Sequence, residues 1–163
     1  MWYIQRLSDS PSRVSAVRGL VRDYMFLPDA WQLQGGPPTQ LPLILEREIS
    51  ELPSPAEPPR GDIAMAIQDD QVFAVALLVP FDEETCELKR LYVSQGMRRN
   101  GVGRGIVQNL IALARELDYR SVVLDVMRER SGAVELYQSL GFAPVTPFRH
   151  YDSHTMLFFE YSL

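Results

Sequence analysis

A glycine- and arginine-rich segment, RRNGVGRG at residues 98–105, constrains the fold of this chain more than any other feature. It follows the apolar run ELKRLYV, which predicts a strand, and it precedes apolar residues at helical spacing over residues 103–117. A strand, a glycine loop and a helix in this order are typical of α/β domains that hold a phosphate group on backbone N–H groups at a helix start. Glycine suits such a loop because a Cβ would keep the ligand away from the backbone.

The rest of the pattern predicts an α/β fold in a single domain over residues 1–163. Weak alternation over residues 2–7 indicates a first strand, and apolar spacing indicates helices near residues 14–25 and 41–49. After a proline-rich connection come the strands IAMAIQ, VFAVALLVP and ELKRLYV, the helix after the glycine loop, the strand SVVLDV, a helix that Gly141 ends, the irregular segment PVTPF and the closing strand HTMLFFEYSL. The order β-α-α-β-β-β-α-β-α-β predicts helices packed on a mixed sheet.

The composition argues against several classes of protein. Hydrophobic residues make up 46% of the 163 residues and charged residues 23%, which is a globular balance. The net charge of −5 argues against a nucleic-acid-coating surface, and no run approaches the ~18 apolar residues of a membrane span. The single cysteine, Cys86, falls in a predicted strand, which indicates a buried, inert thiol. With one thiol and no secretion signal, we expect a cytoplasmic protein.

Three kinds of phosphate loop compete for the segment RRNGVGRG. The P-loop is excluded because Val102 stands where its lysine is required. The dinucleotide fingerprint is disfavoured because Ile106 replaces its third glycine and the predicted strand ends near Val93, too far from Gly101 for that tight turn. The third kind is Arg98-x-x-Gly101-x-Gly103, in which backbone N–H groups at the helix start face a pyrophosphate. A solvated basic turn with a glycine cap remains open from the loop alone.

Taken together and in order, ELKRLYV, RRNGVGRG, LDV and AVELYQSLGF resemble the GNAT superfamily of acetyl-CoA-dependent N-acetyltransferases. The strand CELKRLYV and the ending FEYSL look like a small bacterial branch of that superfamily. The resemblance implies a mixed, mostly antiparallel sheet of about six or seven strands, with a splayed strand pair and about four helices on both faces. It also implies acetyl-CoA as cosubstrate and no metal.

The resemblance assigns cofactor contacts residue by residue. The splayed strand would bind the pantetheine arm through the backbone of Leu91, Tyr92 and Val93, as an added strand would. The pyrophosphate would lie on the loop, chiefly on its main-chain N–H groups, whose residues are Arg98, Arg99, Asn100, Gly101, Val102, Gly103 and Arg104. Arg130 departs from the family pattern, which often has an asparagine there; it would approach a CoA phosphate or face solvent.

Two catalytic residues follow from the same resemblance. Tyr137 matches the tyrosine that protonates the departing thiolate, although its helical spacing equally suits a core aromatic. Glu87 matches a general base that some members use, directly or through water, and it could equally pair with an arginine. The acceptor would be an amine of a small molecule or peptide that attacks the thioester directly.

Other functions remain open. The same fold could serve a non-catalytic acyl-CoA-binding or regulatory protein, and less readily an NAD enzyme. His150, Asp152 and His154 form H-Y-D-S-H, but the segment reads as loop entering a strand, which disfavours a metal site. We expect no nucleic-acid or membrane partner, and the chain would act as a monomer or homodimer.

Overall fold

The fold consists of seven strands and four α-helices in a computed structural model that describes residues 1–29, 31, 35–150 and 155–163. In chain order these elements are β1 (Tyr3–Arg6), α1 (Val14–Met25), α2 (Leu43–Glu51), β2 (Asp62–Gln68), β3 (Gln71–Pro80), β4 (Thr85–Val93), α3 (Val102–Glu116), β5 (Ser121–Met127), α4 (Ser131–Ser139), β6 (Ala143–Pro144) and β7 (Met156–Ser162). Short 3-10 turns precede α1 and follow β4.

The strands form one sheet in the order β1-β2-β3-β4-β5-β7-β6. Strands β4 and β5 are parallel, and the other neighbours within the described residues are antiparallel. The predicted mixed, mostly antiparallel α/β fold is therefore confirmed. One detail was wrong: PVTPF was predicted to be irregular throughout, yet Pro144 pairs with Phe159 as part of β6. A two-residue strand is too short to leave a periodic pattern.

Helices cover both faces of the sheet. Helix α1 buries Val17, Leu20, Val21 and Met25 against one face, at the spacing of a single helical stripe. The opposite face carries a second core, to which α3 contributes seven buried residues. Side chains of β2 alternate between the two cores because successive residues of a strand point to opposite faces.

The sheet opens between its two parallel strands. Strand β4 pairs with β5 only from Thr85 to Glu87, whereas on its other side it follows β3 as far as Val93. A bulge lies beyond the last paired residues: Arg90 and Leu91 together oppose one residue of β3, and Arg90 has a left-handed φ of 57°. The bulge turns β4 away from β5, and the free edge of β4 lines the opening.

Candidate active site

A cleft of about 860 Å³ lies where β4 and β5 diverge. Its walls are the end of β4, the glycine loop, the first turn of α4 and the segment after α1. Of the ten predicted cofactor contacts, nine line the cleft: Leu91, Tyr92, Val93, Arg98, Arg99, Gly101, Val102, Gly103 and Arg104. The tenth, Asn100, is exposed and lies outside this lining.

The glycine loop ends in a helix start that faces the cleft. Gly101 is the N-cap of α3 and has a φ of +75°, a left-handed conformation that glycine adopts at little cost. The first N–H groups of an α-helix have no partner inside the helix, so those from Val102 to Arg104 are available to a ligand. At Gly103 an added Cβ would stand 3.4 Å from the Leu136 side chain, an ordinary contact, so space does not require glycine there.

Two of the loop arginines have contacts within the protein. The Nε of Arg98 donates to the Val93 carbonyl at 2.9 Å, and its guanidinium lies 5.9 Å from the centre of the Tyr92 ring. Arg104 donates to the Ser139 hydroxyl at 2.6 Å. Arg98 therefore covers part of the β4 edge that was predicted to bind pantetheine.

A smaller cavity, of about 60 Å³, continues from the cleft into the opening between β4 and β5. Leu91, Arg130 and Ala133 line both spaces, so the two adjoin. Tyr137 lies on the smaller cavity and is 95% buried, with its ring 5.6 Å from that of Phe142. Burial is the main cause that raises the pKa of Tyr137 well above the ordinary range of a phenol. Tyr137 is thus both a core residue and a cavity residue.

Glu87 is held in an ion pair. Both of its carboxylate oxygens accept hydrogen bonds from Arg149: Oε1 from Nη1, and Oε2 from Nη2 at 2.6 Å. The Glu87 side chain is only 3% exposed, whereas that of Arg149 is 29% exposed. The sequence left open whether Glu87 pairs with an arginine, and this pair exists; its role as a base stays a prediction.

Asp125 shares the same arginine less closely. Its Oδ2 lies 3.3 Å from Nη1 of Arg149, and its side chain is 22% exposed. Burial, followed by the neighbouring Glu87 charge, raises the pKa of the Asp125 carboxyl, although Arg149 acts in the opposite direction. Sequence reasoning gave Asp125 no role here; an acidic residue inside the apolar strand SVVLDV was the signal that could have found it.

A second ion pair joins Arg130, at the start of α4, to Asp29, in the segment after α1. Arg130 donates to both carboxylate oxygens of Asp29, at 2.6 and 2.9 Å, and lies 4.6 Å from the centre of the Tyr24 ring. The guanidinium of Arg90 lies 5.7 Å from the centre of the same ring, and Arg90 pairs with Glu48 of α2. Of the two alternatives for Arg130, exposure to solvent is wrong, since its side chain is 15% exposed, and approach to a CoA phosphate stays a prediction. No local pattern indicated the Asp29 pair, because 101 residues separate the partners.

The single cysteine is inert, as predicted. Cys86 is fully buried, and burial raises the pKa of its thiol to about 12.

Within the described ranges, no three His, Cys, Asp or Glu side chains are arranged to hold a metal ion. Asp152 and His154 lie outside the described residues. None of the helices that the structure describes is long and apolar enough to span a bilayer.

Comparisons with known proteins agree with this geometry. Residues 27–142 match the acetyltransferase (GNAT) family. An uncharacterized N-acetyltransferase of Schizosaccharomyces pombe is 35% identical over 96 residues, which cover 57% of this chain and 58% of that protein. Human N-acetyltransferase 8 is 28% identical over 130 residues, covering 76% of this chain and 57% of its own length. The chain therefore spans little more than half the length of these two relatives. Both are eukaryotic, so the bacterial branch stays a prediction.

Solved structures share the fold. A putative acyl-CoA N-acyltransferase from Klebsiella pneumoniae superposes with a TM-score of 0.73 at 21% identity, covering 100% of this chain and 98% of that one. An Elizabethkingia anophelis GNAT acetyltransferase with acetyl-CoA bound gives a TM-score of 0.56 at 21% identity, covering 64% of this chain and 77% of that one.

Proposed function

The chain belongs to the acetyltransferase (GNAT) family, and we propose that it transfers the acetyl group of acetyl-CoA to a primary amine of a small molecule or peptide. The observation that carries this proposal is the divergence of β4 from β5 after Glu87, beside a glycine-capped helix start. The opening exposes an unpaired strand edge and leads into the cavity of Tyr137. We propose further that residues 1–163 act as one domain, in the cytoplasm, as a monomer or homodimer.

The residues of the cleft suit acetyl-CoA. The backbone of Leu91 and Val93 offers strand-like partners to the pantetheine amides, and the N–H groups that begin α3 offer donors to the pyrophosphate. Arg98 is hydrogen-bonded to Val93, so it would exchange that carbonyl for a ligand phosphate. The acetyl-CoA bound in the Elizabethkingia relative supports this assignment.

Bound acetyl-CoA supplies an activated acetyl thioester, and the residues of this chain handle the protons. We assign Tyr137 as the acid that protonates the leaving sulfur. Its raised pKa keeps the phenol protonated at neutral pH. A thiolate formed in the same enclosed space is desolvated as well, so burial raises the basicity of both partners and the proton transfer remains feasible.

The attacking amine must also lose a proton, and Glu87 is the residue predicted to accept it. Its carboxylate already accepts two hydrogen bonds from Arg149. Each carboxylate oxygen is thus engaged by a guanidinium nitrogen before an amine arrives. Glu87 would therefore act only through a water molecule or after the pair opens.

The test is a CoA-release assay over a panel of amines, with thermal unfolding measured beside it in acetyl-CoA and in NAD. We expect thiol release that depends on the amine, and a melting temperature that acetyl-CoA raises and NAD does not, because a ligand of the native state stabilises it. Stabilisation by acetyl-CoA without release on any amine would instead favour an acyl-CoA-binding protein. Stabilisation by NAD alone would overturn the assignment.

A further inference from the structure

Two carboxylates flank the point at which β4 and β5 separate, and their environments differ. Glu87 is the last residue of β4 that pairs with β5, where it lies opposite Val123. Arg149 binds both of its carboxylate oxygens. Asp125 lies two residues further along β5, beyond the paired region, and its contact with Arg149 is a single one of 3.3 Å. Of the two, Asp125 is therefore held less closely by Arg149.

Asp125 also has the better position. It lines the small cavity together with Tyr137, whereas Glu87 is absent from that lining. The charge of Asp125 contributes to the raised pKa of Tyr137, which places the two groups within electrostatic reach of each other. An acid and a base on one enclosed space can serve the two proton transfers of a single reaction.

We propose that Asp125 is the carboxylate that accepts the proton of the acceptor amine, and that Glu87 is a positioning residue that holds Arg149. This inference rests on the proposed acetyl transfer. The amine nitrogen forms a bond to the acetyl carbon and the carbon–sulfur bond breaks. Asp125 accepts the proton from nitrogen, and sulfur accepts the phenolic proton of Tyr137. Return of the proton from Asp125 to the phenolate restores both groups, so one proton passes overall from amine to thiol.

Burial and the surrounding charges act on Asp125 in opposite directions. Burial, followed by the charge of Glu87, disfavours its charged form and raises its pKa, whereas Arg149 and Lys89 favour the charged form. Besides Asp125, the ionisable groups on the cavity are Tyr24, Lys89, Arg90, Arg130 and Tyr137. Arg90 and Arg130 have carboxylate partners of their own, in Glu48 and Asp29. Among the described residues, Asp125 is the one carboxylate that lines this cavity. Its hydrogen bond to Arg149 involves one oxygen, so no arginine binds it bidentately.

The experiment compares Asp125→Asn, Asp125→Ala and Glu87→Gln with the wild type, on one acceptor amine that the wild type acetylates. Glu135→Gln is the matched control, because Glu135 is an exposed carboxylate on α4 outside the cavity. We expect kcat of Asp125→Asn to fall about 100-fold, the order of a general-base contribution, with the Kd for acetyl-CoA unchanged by calorimetry. Added formate should restore part of the rate of Asp125→Ala, which a merely structural role would not allow.

The pH profile separates the two carboxylates. An ascending limb of kcat/KM that belongs to the base should disappear in Asp125→Asn and persist in Glu87→Gln and Glu135→Gln. The opposite result, with the limb lost in Glu87→Gln and kcat of Asp125→Asn within threefold of the wild type, would overturn the proposal while leaving acetyl transfer intact. A wild type that acetylates no amine would overturn both.

Discussion

Replacing Glu87 by glutamine should destabilise the fold, whereas replacing its neighbour Asp125 by asparagine should not. Breaking a buried ion pair costs about 3–5 kcal/mol when the remaining charge is uncompensated. The cost here is smaller for two reasons. The Arg149 side chain is 29% exposed, and Asp125 stays 3.3 Å from its Nη1. We therefore expect Glu87→Gln to lower the free energy of unfolding by about 2–3 kcal/mol.

Asp125→Asn differs because the pKa of Asp125 is raised in the folded state. A carboxyl whose folded pKa exceeds its unfolded pKa opposes folding while it is ionised, and protonation relieves that cost. The neutral amide should thus leave the melting temperature at pH 7 equal to that of the wild type or higher. The advantage of Asp125→Asn over the wild type should shrink as the pH falls through the folded pKa of Asp125.

The assay is thermal unfolding followed by circular dichroism, with urea unfolding as a second measure. About 2–4 °C per kcal/mol is usual for a domain of this size, so Glu87→Gln should melt about 5–10 °C below the wild type. Glu135→Gln, on the exposed face of α4, should melt with the wild type. Equal losses in Glu87→Gln and Asp125→Asn would show that the two carboxylates bind Arg149 equivalently, and the reasoning would be refuted.

Three further results are expected. Gly101→Ala should weaken acetyl-CoA binding in calorimetry, because the φ of +75° at this position costs other residues about 1 kcal/mol. Gly19→Ala, inside α1, should keep the wild-type affinity. Equal affinities of the two variants would contradict the role of Gly101. Asp29→Asn should raise KM for acetyl-CoA more than it changes kcat, because Arg130 loses its ionic partner at the cleft wall. An unchanged KM would exclude a role of the Asp29–Arg130 pair in binding acetyl-CoA. In the native protein, Cys86 should resist iodoacetamide at pH 8, because burial raises its pKa to about 12. In urea the same thiol should react. Rapid labelling of the native protein, seen by mass spectrometry, would contradict the burial of Cys86.

The local parts of the fold could be predicted from the sequence. The strand ELKRLYV, the glycine loop and the helix after it each depend on neighbouring residues, and β4, Gly101 and α3 lie where these patterns place them. The nine predicted residues on the cleft were assigned from the resemblance to the GNAT superfamily, and they lie together because this strand and loop adjoin in the sequence. Helix α3 begins at Val102, one residue before the start of the predicted pattern.

The parts of the site that the sequence did not predict depend on contacts between distant residues. Glu87 and Arg149 are 62 residues apart, and Asp29 and Arg130 are 101 apart, so no periodicity indicates either pair. The bulge at Arg90 depends on the register between β4 and β3, which hydrophobic patterning specifies only to within a face. The resemblance therefore predicted Glu87 as a base and left an arginine pair open, but the sequence did not identify Arg149 as the partner.

The acetylation rate of Tyr137→Phe, measured beside that of Tyr3→Phe on the same amine, tests the central claim most directly. Both substitutions remove one hydroxyl, from a tyrosine on the cavity and from one that is 50% exposed on the edge strand. We predict that kcat of Tyr137→Phe falls about 100-fold or more with acetyl-CoA binding retained, because the leaving sulfur loses its proton donor. The rate of Tyr3→Phe should match that of the wild type. A Tyr137→Phe enzyme that transfers acetyl at the full rate would contradict the account.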